Sequence, residues 1–140
     1  MLMDELSKDG IHHVHSLKGV YVMIHSLLNS AFPKEPRDVF YRFAESYHDG
    51  FPAWILVEDG LIKGMTFVIP NSKGGTLECM AIDPELWGHG AGRALVDAVV
   101  NDFGGFLTLT TRVPEFYEKA GFNRITSFKD GSTAMYKCCE

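Results

Sequence analysis

The hydrophobic pattern of this 140-residue chain changes its period several times, and each change predicts a helix or a strand. Ile11 to His15 has the pattern of a short edge strand. From Ser16, which suits a helix N-cap, apolar residues recur at helical spacing as far as Leu28. A break over residues 31–36, which contains two prolines, separates this helix from a second amphipathic stretch between Arg37 and Tyr47.

Strand patterns dominate the middle of the chain. Ala53 to Glu58 and Leu61 to Pro70 are predicted strands, and Asp59-Gly60 between them is a strong hairpin signal. A looser turn over residues 71–75 leads into a third strand, Thr76 to Ile82. The first two of these strands are therefore expected to pair as a hairpin.

The last part of the chain alternates helix and strand patterns. The predicted elements are, in order, helix Arg93–Asp102, strand Phe106–Thr111, helix Pro114–Ala120, strand Phe122–Phe128 and strand Ser132–Cys138. Asp130-Gly131 is the predicted turn between the last two strands. The whole order, β-α-α-β-β-β-α-β-α-β-β, predicts an α/β sandwich, and the length suits a single domain over residues 1–140.

The composition is that of an ordinary globular protein, 46% hydrophobic and 22% charged. A net charge of −5 argues against nucleic-acid binding, since no basic stripe is available to neutralise phosphates. No apolar run is long enough to cross a membrane, and we expect no membrane partner. With three cysteines, no disulfide framework and no visible signal peptide, the expected location is the cytoplasm.

A histidine cluster near the N-terminus is a candidate metal site. His12, His13 and His15 include a His-x-His pair that a strand would place on one face. No Cys, Asp or Glu nearby in the sequence completes a ligand set, so we expect no metal.

A glycine-rich turn between a strand and a helix carries the most specific chemistry. Gly88, Gly90 and Gly92 stand at alternate positions directly before the apolar helix at Arg93. Glycines let the backbone approach a ligand closely, and the positive end of the helix dipole lies at the same turn. The turn therefore predicts an anion site, most naturally for a phosphate or pyrophosphate. The absence of Lys-Ser/Thr after it excludes a P-loop, and the G-x-G-x-G spacing after a five-residue connector departs from the dinucleotide fingerprint.

The turn resembles motif A of the GNAT N-acetyltransferase superfamily, in which a strand ending in Val/Ile-x-Pro is followed by Gln/Arg-x-x-Gly-x-Gly/Ala. The matching residues are Ile82-Asp83-Pro84 and then Trp87 to Gly92, where Trp87 stands in place of the usual Gln or Arg. Pro114 to Phe122 is similar to the family's Phe-Tyr-Glu-Lys-x-Gly-Phe helix and exit. The resemblance covers roughly the C-terminal two-thirds of the chain. It implies a mixed, mostly antiparallel sheet with splayed central strands and helices on both faces.

The resemblance also implies a reaction: transfer of an acetyl group from acetyl-CoA to a primary amine by direct attack in a ternary complex. It places the pantetheine arm of acetyl-CoA against backbone groups of Met80, Ala81 and Ile82. The pyrophosphate would rest on the turn, on N–H groups of Gly88, His89, Gly90, Ala91, Gly92 and Arg93. Tyr117 matches the family tyrosine that faces the CoA sulfur as general acid, and a phenol with a reference pKa near 10 is protonated at pH 7. Its alternative role is aromatic packing between helix and sheet.

The general base stays open between two residues. Glu78 lies on the central strand, and simple alternation predicts its side chain on the same face as Met80 and Ile82, opposite Ala81. Its alternative role is a solvated or ion-paired charge. His89 has a suitable reference pKa but lies inside the phosphate turn, where pairing with the anion or with solvent is favoured.

The acceptor is expected to be an amine-bearing small molecule, peptide or protein. The resemblance places it against the first two helices, where Tyr41, Tyr47 or His48 would be in reach. A homodimer and the transfer of a larger acyl group both stay open. The alternative function is a non-catalytic sensor or docking module that binds CoA or another phosphorylated ligand, for which the unusual Trp87 and the unsettled base are the motivation.

Overall fold

A computed structural model describes residue 6 and residues 8–15, 21–33 and 51–139. The start of the first predicted helix, residues 16–20, lies outside these ranges. So does the whole second amphipathic stretch from Arg37 to Tyr47, together with Tyr41 and His48.

The described residues form one sheet of seven strands in the order β1-β2-β3-β4-β5-β7-β6. The strands are β1 (Gly10–Val14), β2 (Ala53–Glu58), β3 (Leu61–Asn71), β4 (Gly74–Ile82), β5 (Gly105–Thr111), β6 (Asn123–Ser127) and β7 (Thr133–Cys139). All neighbours run antiparallel except β4 and β5, which run parallel. The predicted mixed, mostly antiparallel sheet is confirmed.

Helices cover both faces of this sheet, as predicted. They are α1 (Tyr21–Ala31), α2 (Ala91–Phe103) and α3 (Pro114–Lys119), and a short 3-10 turn lies at Pro84–Leu86. One core packs Ile24 and Leu28 of α1 against Ile55 and Phe67 of the sheet. On the opposite face, a second core joins side chains of α2 and α3 to the sheet, including Leu95, Val96, Val99, Tyr117, Trp54, Val68 and Leu107.

Most predicted boundaries differ from the structure by one or two residues. The strand β4 begins at Gly74 instead of Thr76, because the Asn71 side chain closes the preceding turn. Its Oδ1 accepts hydrogen bonds from the N–H groups of Lys73 and Gly74, at 2.9 and 3.0 Å. The helix α2 begins at Ala91, directly after Gly90, two residues before its predicted start.

The two parallel strands separate soon after they meet. Residues 74, 75 and 76 of β4 pair with residues 106, 107 and 108 of β5, and the ladder ends there. β4 continues to Ile82 and β5 to Thr111, so that a gap opens between their C-terminal ends. The splayed central strands that the resemblance implied are present.

A β-bulge lies in β4 just before this open end. Phe67 of β3 pairs with Glu78, and Met65 pairs with Ala81, so two residues of β4 oppose the single residue Thr66. Directly paired residues share a face of the sheet. Because Met65 and Phe67 belong to the core under α1, Glu78 and Ala81 lie on the α1 face.

The bulge makes one sequence prediction wrong. Met80 and Ile82 pack against the opposite core, which also contains Leu77, whereas Glu78 lies on the α1 face. Simple alternation placed Glu78 with Met80 and Ile82 and opposite Ala81. The bulge adds one residue to β4 between Glu78 and Ala81, so side chains no longer alternate strictly between the two faces there. As a result, Glu78 shares a face with Ala81 and not with Met80 and Ile82.

Candidate active site

A cavity of about 920 Å³ opens where β4 and β5 separate. Its walls are the ends of these two strands, the turn before α2, the first turn of α2, the helix α3 and the end of α1. Ala31 and Phe32 reach it from the α1 side, and Phe116 and Tyr117 reach it from α3 on the other face. The cavity therefore passes through the gap in the sheet, and its volume is within the range of small-molecule and cofactor sites.

The turn before α2 has a backbone that only glycine adopts readily. Gly88 and Gly90 have φ angles of 82° and 83°, and Gly90 is the N-cap of α2. A Cβ on either residue would meet no atom within 4 Å. The dihedral angle, and not a lack of space, is therefore the reason for glycine at these positions.

Open hydrogen-bond donors converge at this turn. Within the described ranges, no protein acceptor is present for the N–H groups of Gly88, Gly90, Ala91, Gly92 and Arg93. The N–H of His89 differs, because it donates to the Leu86 carbonyl at 3.1 Å. The open N–H groups and the positive end of the α2 dipole together favour an anion.

The third glycine of the turn has a different physical reason. A Cβ on Gly92 would lie 3.1 Å from the Phe116 ring, and Gly92 is not among the residues with positive φ. The missing side chain lets α3 approach the first turn of α2. This approach brings the aromatic pair of α3 to the cavity beside the anion turn.

Trp87 holds the turn to the end of β4. Its indole Nε1–H donates to the Ile82 carbonyl at 2.9 Å, although 59% of the residue is exposed. The ring borders the cavity. The hydrogen bond uses one acceptor position of a carbonyl at the open edge of β4.

Tyr117 packs between the helix and the sheet and also borders the cavity. The residue is only 8% exposed, and its ring makes edge contacts with Phe116 and Phe122 at 4.9 and 5.8 Å between centroids. Burial raises the pKa of the Tyr117 phenol to about 12, so the hydroxyl remains a proton donor at neutral pH.

Three of the predicted site residues lie outside the cavity wall. Ala81 is fully buried in the core under α1, and Glu78 is half-buried on the same face. His89 is exposed on the turn. Met80, Ile82 and the remaining residues of the turn do line the cavity.

The end of β5 adds cavity residues that the sequence analysis missed. Thr110, Thr111 and Arg112 line the wall opposite β4. The Arg112 guanidinium donates to the Asp130 carbonyl at 2.6 Å and lies 3.6 Å from the Asp130 carboxylate. Parallel strands end at the same edge of a sheet, and that rule applied to β4 and β5 would have predicted these residues.

The charge that lines the cavity is positive. Arg93 and Arg112 border it, and the described wall contains no Asp or Glu. The Arg93 side chain also pairs with Asp97 at 2.9 Å, one turn further along α2. A wall with two arginines and no acidic side chain suits an anionic ligand, as do the open N–H donors at the turn.

Residues 20–122 match the model of the acetyltransferase (GNAT) family. The chain belongs to this family. The match spans both stretches that carried the resemblance, from Ile82 to Gly92 and from Pro114 to Phe122. No curated protein sequence matches this GNAT chain significantly.

Solved GNAT acetyltransferases share the fold over 94% of this chain. An aminoglycoside 6′-N-acetyltransferase from Enterococcus faecium has a TM-score of 0.79 at 17% identity, with 97% of its own chain covered. The ribosomal-protein-S18-alanine N-acetyltransferase from Escherichia coli has 0.75 at 20%, with 95% covered. An aminoglycoside 6′-N-acetyltransferase complexed with coenzyme A has 0.77 at 18%, with 97% covered. At these identities the likeness establishes the fold alone.

One histidine of the N-terminal cluster, His13, packs on the sheet. His13 stacks on the buried Trp54 ring at 4.3 Å, and burial lowers the pKa of the His13 imidazole. Within the described ranges, no three His, Cys, Asp or Glu side chains are grouped so that they could hold a metal ion.

Among the helices that the structure describes, none has the length and apolar character needed to span a bilayer.

Proposed function

We propose that this chain transfers the acetyl group of acetyl-CoA to a primary amine, by direct attack in a ternary complex. The observation that carries the proposal is a single cavity with three features. Open N–H donors of Gly88 and of residues 90–93 lie at one end, a gap between β4 and β5 leads into it, and Tyr117 borders it. Membership of the acetyltransferase family supports acyl transfer.

The residues present fit coenzyme A. The pyrophosphate would accept hydrogen bonds from Gly88 and from Gly90 to Arg93, where the positive φ angles bring the backbone into reach. The pantetheine arm would lie along the unpaired edge of β4 at Met80, Ala81 and Ile82, like an added strand. A structural neighbour crystallised with coenzyme A supports this assignment.

Tyr117 and Glu78 would divide the proton transfers. An ammonium group must lose a proton before its nitrogen can attack the thioester carbonyl, and Glu78 would take that proton directly or through water. As the C–N bond forms and the C–S bond breaks, the Tyr117 hydroxyl would give a proton to the departing thiolate. The second amine proton then restores the Tyr117 phenol, and the reaction releases one proton overall.

The bulge supports this division, because it sends Glu78 to the α1 face. The cavity also receives residues from the end of α1, so an amine could enter from that face. The proposed acid, Tyr117, belongs to the opposite core. Neither Glu78 nor His89 belongs to the described cavity wall, but His89 is the weaker candidate for the base because it is exposed on the anion turn, whereas Glu78 is half-buried.

The proposed function is tested by acetyl-CoA titration calorimetry and by release of free thiol over a panel of amines. The names of the neighbours suggest aminoglycosides and peptides with N-terminal alanine as the first members of the panel. Thiol release that depends on an amine supports the transferase. Tight binding with no thiol release for any amine would instead favour the non-catalytic module. No binding of acetyl-CoA would contradict the transferase and leave only a module for another phosphorylated ligand.

Glu78→Gln should lower turnover about tenfold at pH 7 and less at higher pH, because more of the amine is then already neutral. The measurement is the pH profile of thiol release for the variant and for the wild type. His89→Ala is the matched control and should keep the wild-type profile. Equal profiles for Glu78→Gln and the wild type would remove Glu78 from the mechanism.

Gly90→Ala should weaken acetyl-CoA binding about tenfold. A side chain in the left-handed region costs on the order of 1–2 kcal/mol, and relaxation of that strain would turn the open N–H groups away. Gly60→Ala is the control, since Gly60 has a φ angle of 74° in the β2–β3 turn and a Cβ added there would also meet no atom within 4 Å. Calorimetry should show normal affinity for the control; equal affinities for both variants would contradict the assignment of the turn.

We further propose that the chain acts as a single cytoplasmic domain without nucleic-acid or membrane partners. A homodimer is consistent with this function, and light scattering of the purified chain measures it directly.

A further inference from the structure

Trp87 is the residue at which this chain departs from the motif of its family. The position usually carries a polar or cationic side chain, whereas here an indole ring borders the cavity with 59% of the residue exposed. The indole N–H is already bonded to the Ile82 carbonyl. The ring therefore has apolar faces to offer to a ligand and no charge for a phosphate.

The position of this ring is fixed at two points. Its backbone directly precedes Gly88, the first open donor of the anion turn, and its Nε1 is bonded to the last residue of β4. The ring thus links the turn to the unpaired strand edge. A ligand that runs from the turn into the gap between β4 and β5 would occupy the cavity that this ring borders.

Coenzyme A has one bulky apolar group at the corresponding place. Between its pyrophosphate and its first amide lies the pantoate unit, whose quaternary carbon carries two methyl groups. Nucleoside di- and triphosphates have the pyrophosphate without this group. The Trp87 ring is apolar, as the pantoate methyl groups are. It also lies next to the anion turn, as the pantoate lies next to the pyrophosphate in coenzyme A.

We propose, on the basis of the function proposed above, that the Trp87 ring packs against the two pantoate methyl groups. The contact makes the anion turn selective for pantetheine-bearing ligands over other pyrophosphates. Trp87 is then a specificity-determining residue for the cofactor, and the hydrogen bond of its indole N–H with Ile82 orients the ring.

The test compares two ligands that share every phosphate and the adenine. Calorimetry measures the affinities of CoA and of adenosine 3′-phosphate 5′-diphosphate, which lacks the pantetheine arm. Trp87→Ala should weaken CoA binding about tenfold, equivalent to about 1.4 kcal/mol, and change binding of the fragment less than about twofold. Trp87→Phe keeps an apolar ring without the N–H and should retain most of the CoA affinity.

Four outcomes would overturn the proposal. Equal losses for both ligands in Trp87→Ala would mean that the ring acts on the adenine or merely holds the turn. Equal losses in Trp87→Phe and Trp87→Ala would assign the effect to the hydrogen bond with Ile82. Unchanged CoA binding in Trp87→Ala would refute the contact while leaving the proposed function intact; failure of the wild type to bind CoA would refute both.

Fluorescence gives a second readout that needs no destabilising variant. The chain has two tryptophans, and Trp54 is fully buried whereas Trp87 is exposed. CoA should therefore shift the wild-type emission to shorter wavelength, and the fragment should not. Trp87→Phe, which keeps only Trp54, should show no shift with either ligand. An equal shift with CoA and with the fragment contradicts the pantoate contact.

Discussion

Tyr117→Phe is expected to lower turnover about a hundredfold while changing the affinity for acetyl-CoA less than about twofold. The substitution removes only the hydroxyl that would protonate the departing thiolate. The ring contacts with Phe116 and Phe122 can persist, because a phenylalanine ring has the same shape. Single-turnover thiol release measures the loss in the chemical step, and calorimetry measures the affinity.

The matched control for this variant is Tyr136→Phe. Tyr136 is half-buried on β7, where its ring stacks on Phe106 at 5.6 Å, and it is not part of the described cavity wall. Its loss of a hydroxyl should leave turnover unchanged. Wild-type turnover in Tyr117→Phe would show that Tyr117 contributes packing alone.

The same variant should change the alkaline stability of the protein. Burial raises the pKa of Tyr117 from 10.0 to about 12, so the folded state holds this proton more tightly than the unfolded chain. As the pH rises from 10 to about 12, the unfolded chain loses the proton first, and the free energy of unfolding falls. The wild type should lose on the order of 2 kcal/mol more than Tyr117→Phe across this window, measured by urea denaturation.

Gly74→Ala is expected to lower the free energy of unfolding by more than about 3 kcal/mol, the upper end of overpacking costs. A Cβ on Gly74 would overlap the Phe106 carbonyl oxygen and lie 2.6 Å from the Phe106 nitrogen. These backbone atoms belong to β5, and β4 meets β5 at only three paired positions. The clash therefore falls on the short ladder that joins the two halves of the sheet.

Urea denaturation and hydrogen exchange of β5 amides test this expectation. Gly60→Ala, at an open turn position, should cost only about 1–2 kcal/mol from its backbone angle. A Gly74→Ala protein as stable as the Gly60→Ala protein would contradict the steric explanation. Since both strands border the cavity, ligand affinity should fall together with stability in Gly74→Ala.

The parts of the site that could be predicted from the sequence are those that depend on local backbone chemistry. The turn from Gly88 to Gly92 needs no distant partner to have its glycine angles or its position before a helix. The same holds for the hairpin at Asp59-Gly60, where both residues have positive φ. The splay of β4 and β5 was foreseen only through the family resemblance, because periodicity contains no information about which strands pair.

The parts that could not be predicted depend on contacts between distant residues. The bulge in β4 is defined by its register with β3, and nothing in the sequence around Cys79 and Met80 predicts it. Arg112 is held by Asp130, 18 residues away in sequence. The His89 N–H is not an open donor, because it donates a hydrogen bond to the carbonyl of Leu86 in the 3-10 turn.

The bulge in β4 also bears on how such a chain could change its substrate. Because the bulge adds one residue to the strand, Glu78 lies on one side of the sheet and Met80 lies on the other. In an enzyme of the proposed kind, acceptor chemistry and cofactor chemistry would then be governed by separate surfaces of the same strand. Residues on the α1 side could diversify to accept new amines while the thioester-binding side stayed the same, so one short irregularity would make the two halves of the reaction independently adaptable.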